Sequence, residues 1–346
     1  MEPFTLAQAS RALTDESFAW TLFESFRWPG GPECPHCHER ERVTYLAPRE
    51  GVRRTRTGKV SHRRLWKCNE CHRQFTALIG TIFEDSRIPL GKWLMGVYLM
   101  ASAKNGVSAH ELHRDLQMTY KTSWFMCHRL RLAMSLSPAA EVWEGGTIVA
   151  DETWIGGEPG NRHAVKEVPV PIGPGKGPRP NQHTDKTPVL SLINTDTGEV
   201  RSRVMPDLTT GTIRKAIADQ VEITGSTLYT DAARHYVMLG REFAAHESVN
   251  HEAGEYVRGP VSTNRAEGYF SQLKRSLDGT HHHVSREHLS RYTGEFDFRY
   301  STRKMADSER AVRMVEQSQG RRISYARLTG RGVRPPISGR RPNPRG

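Results

Sequence analysis

Two cysteine pairs, Cys34-Pro-His-Cys37 and Cys68-Asn-Glu-Cys71, stand 30 residues apart and constrain this chain more than any other feature. Each pair turns two thiolates toward one point. Together they give four soft ligands at tetrahedral reach, the donor set of structural Zn²⁺. Between them, Val43-Thr-Tyr-Leu and Arg63-Arg-Leu-Trp-Lys read as short strands around a basic turn from Arg53 to Lys59, and Gln74-Phe-Thr-Ala reads as a further strand. This is the layout of a zinc ribbon over residues 31–80. A redox pair is the alternative, and finding two such pairs in one small strand-rich segment weighs against it. His36, His38 and His72 could compete as ligands, but four cysteines suffice. Cys127, the fifth, falls on an expected helix and reads as a buried thiol. This usage points to a reducing cytoplasm rather than to disulfides.

Around the ribbon the organisation follows from apolar periodicity. Residues 1–30 read as a helical lead-in, with Phe18, Trp20, Leu22, Phe23 and Phe26 on an apolar face. A helical stretch follows at 89–136. Within it, Val107 to Leu116, a tight turn and a second helix carrying Lys121, Thr122, Trp124, His128 and Arg129 fit a helix-turn-helix. Strands then alternate with helices over 146–318. Residues 158–186, rich in Gly, Pro, Lys and His, read as a mobile surface insert, and 320–346 as a disordered basic tail.

Three acids stand out in the alternating region. Asp151 ends the strand Thr-Ile-Val-Ala-Asp, Asp231 ends Ser-Thr-Leu-Tyr-Thr-Asp, and Glu267, with 35 residues between it and Asp231, lies in the first turn of an amphipathic helix. A three-strand meander through the Asp196-Thr-Gly turn, a helix, a fourth strand and further αβ elements give the order of a ribonuclease-H-like domain. In that order the first and fourth strands are neighbours, so Asp151 and Asp231 lie side by side. Paired carboxylates repel unless a cation neutralises them, which implies a metal site. Each acid also has a structural explanation. Asp231 precedes a helix and could be its N-cap, and Glu267 follows Asn264 by three residues, as in a capping box. Glu152 points to the opposite strand face from Asp151. Lys274 lies two turns beyond Glu267, where an ammonium meets a phosphate, and Arg275 adjoins it; both could be solvated helix charges.

Charge supplies the partner. Lys and Arg total 50 against 38 acidic residues, a net charge of +12, which favours a polyanion such as double-stranded DNA. No apolar run approaches the roughly 20 residues that cross a bilayer, and the start lacks a secretory pattern. On residues alone an enzyme that cuts or joins nucleic acid and a DNA-binding regulator both remain open.

The motifs together resemble the bacterial insertion-sequence transposases that pair an N-terminal zinc ribbon with a DDE, integrase-like catalytic domain. They are the two cysteine pairs, Val107-Ser-Ala, Tyr120-Lys-Thr-Ser-Trp, Ala150-Asp-Glu-Thr-Trp-Ile-Gly-Gly, Tyr229-Thr-Asp-Ala, and Ser262-Thr-Asn-Arg-Ala-Glu-Gly-Tyr-Phe-Ser-Gln-Leu-Lys-Arg. The resemblance covers residues 15–305. It implies that Asp151, Asp231 and Glu267 hold two Mg²⁺ (or Mn²⁺) for cleavage at element ends and strand transfer of the 3′-hydroxyl into target DNA. It also implies DNA contact by Lys274, a homo-oligomeric synaptic complex and work at the nucleoid, while the helix readings add Arg275, Lys121 and Arg129 as DNA-contact candidates. Some relatives carry Asn or His at the third acidic position; here Glu267 occupies it, with Asn264 one turn earlier.

Overall fold

The computed structural model describes residues 3–48, 51–135, 141–156 and 186–330. They form two compact units. The first takes its described residues from 1–102, 109–133 and 307 onward, and the second from 103–108 and 134–306.

The first unit begins with α1 (Leu6–Thr14) and α2 (Glu16–Arg27). The lead-in is two helices because Asp15 ends the first and caps the second, its carboxylate accepting the Phe18 N–H at 2.9 Å. The ribbon follows: β1 (Val43–Tyr45), β2 (Arg53–Arg54), β3 (Val60–Ser61), β4 (Trp66–Cys68) and β5 (Gln74–Phe75). Strands β1, β4 and β5 form an antiparallel sheet in that order, and β2 pairs with β3 as a separate hairpin. Glu24 of α2 ties helix to ribbon by accepting from Arg64 Nε (2.6 Å) and Trp66 Nε1 (2.8 Å). Then come α3 (Leu90–Ser102), α4 (Ala109–Asp115) and α5 (Tyr120–Met134). Glu16 caps α3 from far upstream, accepting the N–H groups of Leu90 (2.7 Å) and Gly91 (3.1 Å).

The second unit is a mixed α/β layer structure. Its strands are β6 (Gly146–Ile155), β7 (Thr187–Asn194), β8 (Val200–Val204), β9 (Ser226–Asp231) and β10 (Ala245–Val249), in the spatial order β10-β9-β6-β7-β8. The first three form an antiparallel meander, turned at Asn194, whose side chain accepts the N–H groups of Asp196 and Thr197. β9 runs parallel to both β6 and β10. Two cores cover the faces. Helices α6 (Thr210–Ala218) and α7 (Arg234–Leu239) bury Ile213, Ile217 and Tyr236 against Ile148, Ala150 and Leu228. After a small ladder of β11 (Val257–Arg258) and β12 (Val261–Ser262), α8 (Asn264–Ser276) and α9 (Arg286–Ser301) bury Tyr269, Phe270, Leu273 and Phe296 against Val149, Val189 and Ile193. Every residue of β7 is buried, as expected for a strand covered on both faces.

The chain returns to the first unit with α10 (Asp307–Glu316), which packs on α3 and α2, and α11 (Tyr325–Leu328). Three boundaries therefore differ from expectation. Residues 307–318 group with the N-terminal unit and not with the sheet. The segment just after 320 carries a helix, with Tyr325 packed on Trp124 and Phe125 of α5. Strand β6 continues past Asp151 to Ile155. The expected insert at 158–186, except for Lys186, and the tail from 331 lie outside the described residues.

Candidate active site

Strand parity sets the site. Ile148 and Ala150 belong to the core under α6 and α7, and Val149 to the core under α8. Side chains alternate along a strand, so Asp151 follows Val149 to the α8 face, and Glu152 follows Ala150 to the other. On β9 Leu228 lies in the first core and Tyr229 packs against the second, so Asp231 also takes the α8 face. Val149 pairs with Tyr229, and Asp151 and Asp231 each stand two residues further along these parallel strands. Glu267 occupies the first turn of α8, the helix lying across that face. The structure thus brings the three acids to one face of one sheet.

The electrostatics agree. Burial first, then the charges of Glu152, Asp231 and Glu267, push the Asp151 carboxyl up to about 7, against a Glu152 N–H at 2.8 Å that pulls it down. Glu152 is spent on the opposite face, accepting from the Tyr236 hydroxyl and lying 3.1 Å from His235 Nε2. The contact with Glu152 raises the pKa of His235.

The structural explanations for the other two acids divide. Asp231 Oδ1 accepts the Ala233 N–H at 3.0 Å, but the N-cap of α7 is Ala233 itself. Glu267 belongs to no capping box: the N-cap of α8 is Thr263, without a side-chain bond, and Asn264 is already helical. Glu267 is half exposed and its Oε1 lies 3.7 Å from His251 Nδ1. An all-oxygen donor set in which the charges of Asp231 and Glu267 raise the pKa of Asp151 suits a hard divalent cation. Among the described residues, however, the three carboxylates do not form a ready-made metal cluster as the four cysteines do.

The cysteines do close. The four thiols lie within 4.8 Å of one another, with Cys34 to Cys71 at 3.7 Å and Cys37 to Cys68 at 3.6 Å. Tetrahedral Zn²⁺ at ~2.3 Å from each sulfur requires sulfurs about 3.8 Å apart, so the geometry fits structural zinc.

Comparison with known proteins bears on the same two segments. Residues 14–74 match the transposase zinc-ribbon domain, and residues 145–301 match the ISXO2-like transposase domain. Together the two segments span well over half of the chain. A protein from Halobacterium salinarum, described as an uncharacterized protein in transposable element ISH50, is 29% identical over 292 residues, covering 84% of this chain and 92% of its own length. The chain belongs to the insertion-sequence transposases.

The expected DNA contacts of this transposase fall in different places. Lys274 and Arg275 are exposed in the last turn of α8. Lys121 is exposed with its ammonium 4.6 Å from the Tyr325 ring centre. Arg129 is the correction. It is buried, donates to the Glu84 carbonyl at 2.6 Å and lies over Trp93, so its guanidinium belongs to the core and not to a DNA surface. His128 is likewise buried. No helix among the described residues is long and apolar enough to cross a membrane.

Two groups of the transposase escaped the sequence reading. His251 approaches Glu267 from a short 3-10 helix (His251–Ala253), and only its place shortly before the Ser262 block could have flagged it. Asp297 on α9 is buried and accepts from the Ser202 N–H (2.8 Å), Ser202 Oγ (2.7 Å) and the Tyr269 hydroxyl (2.6 Å), tying α8 and α9 to β8. Burial pushes its carboxyl up to about 6 despite those bonds.

Proposed function

We propose that this transposase has a ribonuclease-H-like DDE domain that cleaves DNA at the ends of its element and joins the freed 3′-hydroxyl to target DNA. The observation that carries the reading is that Asp151 and Asp231 each lie two residues beyond the paired Val149 and Tyr229 on adjacent parallel strands, on the face covered by the helix that bears Glu267. These three side chains would hold a pair of Mg²⁺ (or Mn²⁺), which supplies charge neutralisation at the attacking and leaving oxygens of an in-line displacement.

The protein's own residues do the rest. Asp151 is held out of water, so its ionisation depends on the cation it binds. Asp231 is oriented by the Ala233 N–H, which leaves its second oxygen for a ligand. Lys274, seven residues and about 10 Å along the helix from Glu267, binds a backbone phosphate, and Arg275 extends that basic end. The α4–α5 pair acts as a helix-turn-helix that, with the ribbon and Lys121, engages the element's terminal inverted repeats. Joining two ends in one synaptic complex calls for a homo-oligomer acting on chromosomal DNA in the cytoplasm.

Asp151→Asn tests the reading. It is expected to abolish Mg²⁺-dependent cleavage and strand transfer while end binding stays near wild type. Retained cleavage would remove Asp151 from the site. Pre-cleaved ends incubated with a target plasmid are expected to give joined products, which a stand-alone nuclease cannot make.

A further inference from the structure

The basic turn between the two cysteine pairs has no part in holding zinc. Residues 51–67 contain no Asp or Glu, yet they include Arg53, Arg54, Arg56, Lys59, Arg63 and Arg64. The structure folds this run into the β2–β3 hairpin, with Arg53 opposite Ser61 and Arg54 opposite Val60. Its turn is well built: Thr55 N–H donates to Lys59 O at 2.8 Å, Gly58 N–H to Thr55 O at 2.9 Å, and Gly58 takes the left-handed φ of +81° that favours glycine.

The two faces of the hairpin differ. Arg53 turns inward and donates to the Leu46 carbonyl at 2.6 Å, and Arg64 is paired with Glu24. Arg54, Arg56, Lys59 and Arg63 are exposed and, among the described residues, form no ion pair. Arg54 is braced across the turn by its bond to the Gly58 carbonyl at 3.0 Å. Val52 and Val60 stand 42% and 48% exposed beside these cations, an arrangement a purely solvated loop does not need. One side of the hairpin, with Lys59, Val60 and Arg63, borders a cleft of about 890 Å³ whose lining also includes Glu16, Glu84 and Asp85, whereas Val52, Arg54 and Arg56 lie outside that lining.

We propose that the β2–β3 ribbon is a DNA-contacting arm that lies in the major groove, with Arg54, Arg56 and Lys59 on flanking phosphates and the valines toward base methyl groups. Width decides the groove. Two strands about 5 Å apart with side chains at both rims span roughly 10 Å, which the ~12 Å major groove admits and the ~6 Å minor groove does not. The inference rests on the transposase reading for its partner and deepens it by naming a surface.

The test measures duplex DNA binding by the full chain across a salt series, with wild type and the triple variant Arg54→Gln, Arg56→Gln, Lys59→Gln. Zinc content and thermal unfolding verify that the variant keeps its fold. Losing three phosphate contacts is expected to weaken binding roughly tenfold or more and to flatten the log–log salt slope by about 2 to 3. Methylation of guanine N7 is expected to interfere with wild-type binding over one patch, and that patch should vanish in the variant. Equal affinity and slope in the two proteins would overturn the arm and leave the transposase reading standing. Interference confined to adenine N3 would overturn the groove assignment. A wild-type protein that binds no duplex DNA would overturn the arm together with the reading beneath it.

Discussion

In the proposed function, Asp151 is where sheet geometry turns into chemistry. Its folded carboxyl titrates at about 7, whereas the unfolded chain has the ordinary 3.8. Because the folded value is raised, the folded state holds the extra proton between these limits, and stability falls as pH rises from about 4 to about 7. The loss is bounded by roughly 4 kcal/mol, at 1.36 kcal/mol per unit. Mg²⁺ binds only the ionised form, so its stabilising effect should run the other way. The Mg²⁺-induced rise in Tm is expected to be small at pH 5.5 and large at pH 8, and Asp151→Asn is expected to remove it while raising the metal-free Tm at pH 8. A Mg²⁺ effect that is flat with pH, or unchanged in the variant, would break the link between Asp151 and the cation.

Gly91 offers a residue-scale test of packing. A Cβ there would lie 1.9 Å from the Ala12 carbonyl oxygen and 2.7 Å from its carbon, so α1 and α3 can approach only over hydrogen. Both contacts are backbone and neither can swing aside. Gly91→Ala is expected to cost about 1 to 3 kcal/mol in thermal or denaturant unfolding. Gly96→Ala, whose Cβ would meet the flexible Met126 Sδ at 3.1 Å, is expected to cost much less.

At the scale of elements, the ribbon depends on its metal. Its own core is small: Cys34, Cys68 and Phe75, with Trp28, Val43, Trp66, Cys71 and Ile79 packed against them. So little apolar surface cannot order three short strands without the ligand bonds. Chelation, or Cys68→Ser, is expected to release the amide protons of β1, β4 and β5 to rapid exchange while those of β6, β7 and β9 keep their protection. Protected ribbon amides in zinc-free protein would show that the strands hold themselves. The ribbon was readable in advance because cysteine spacing is local information. The same holds for the β7–β8 hairpin and the parity that separates Asp151 from Glu152, since alternation and turn residues lie within a few positions of one another, whereas the neighbouring β6 and β9 are far apart in the chain and were legible only through the order of the elements. Arg129 misled because a cation on a helix near other cations looks like a surface. Only the distant Glu84 carbonyl and Trp93 ring make it a core residue. Asp297 and His251 were hidden for the same reason: their partners lie on other elements.

For the molecule as a whole, the division into units is what sequence order conceals most. The run 146–318 looks continuous, yet α10 leaves the sheet unit and completes the first one. Its apolar stripe (Ala311, Val312, Met314 and Val315) is buried against helices more than 200 positions earlier, a pairing no local pattern encodes. Arg321 reinforces it by donating to the carbonyls of Leu132 and Ala133 at the end of α5. A chain ending at Ala306 would keep every strand of the five-stranded sheet and all of α6–α9 but would strip the cover from α2 and α3. Burying one large aliphatic side chain is worth about 1.5 to 3 kcal/mol, so losing a stripe of four residues, only Ala311 of them small, removes several. The truncated protein is expected to melt in two separated steps, the lower one belonging to the first unit. Limited proteolysis should then cut in α2 and α3 while the elements from β7 to α9 resist. Proteolysis that attacks the sheet unit first would mean that α10 serves the second unit and that the chain divides where its sequence suggests.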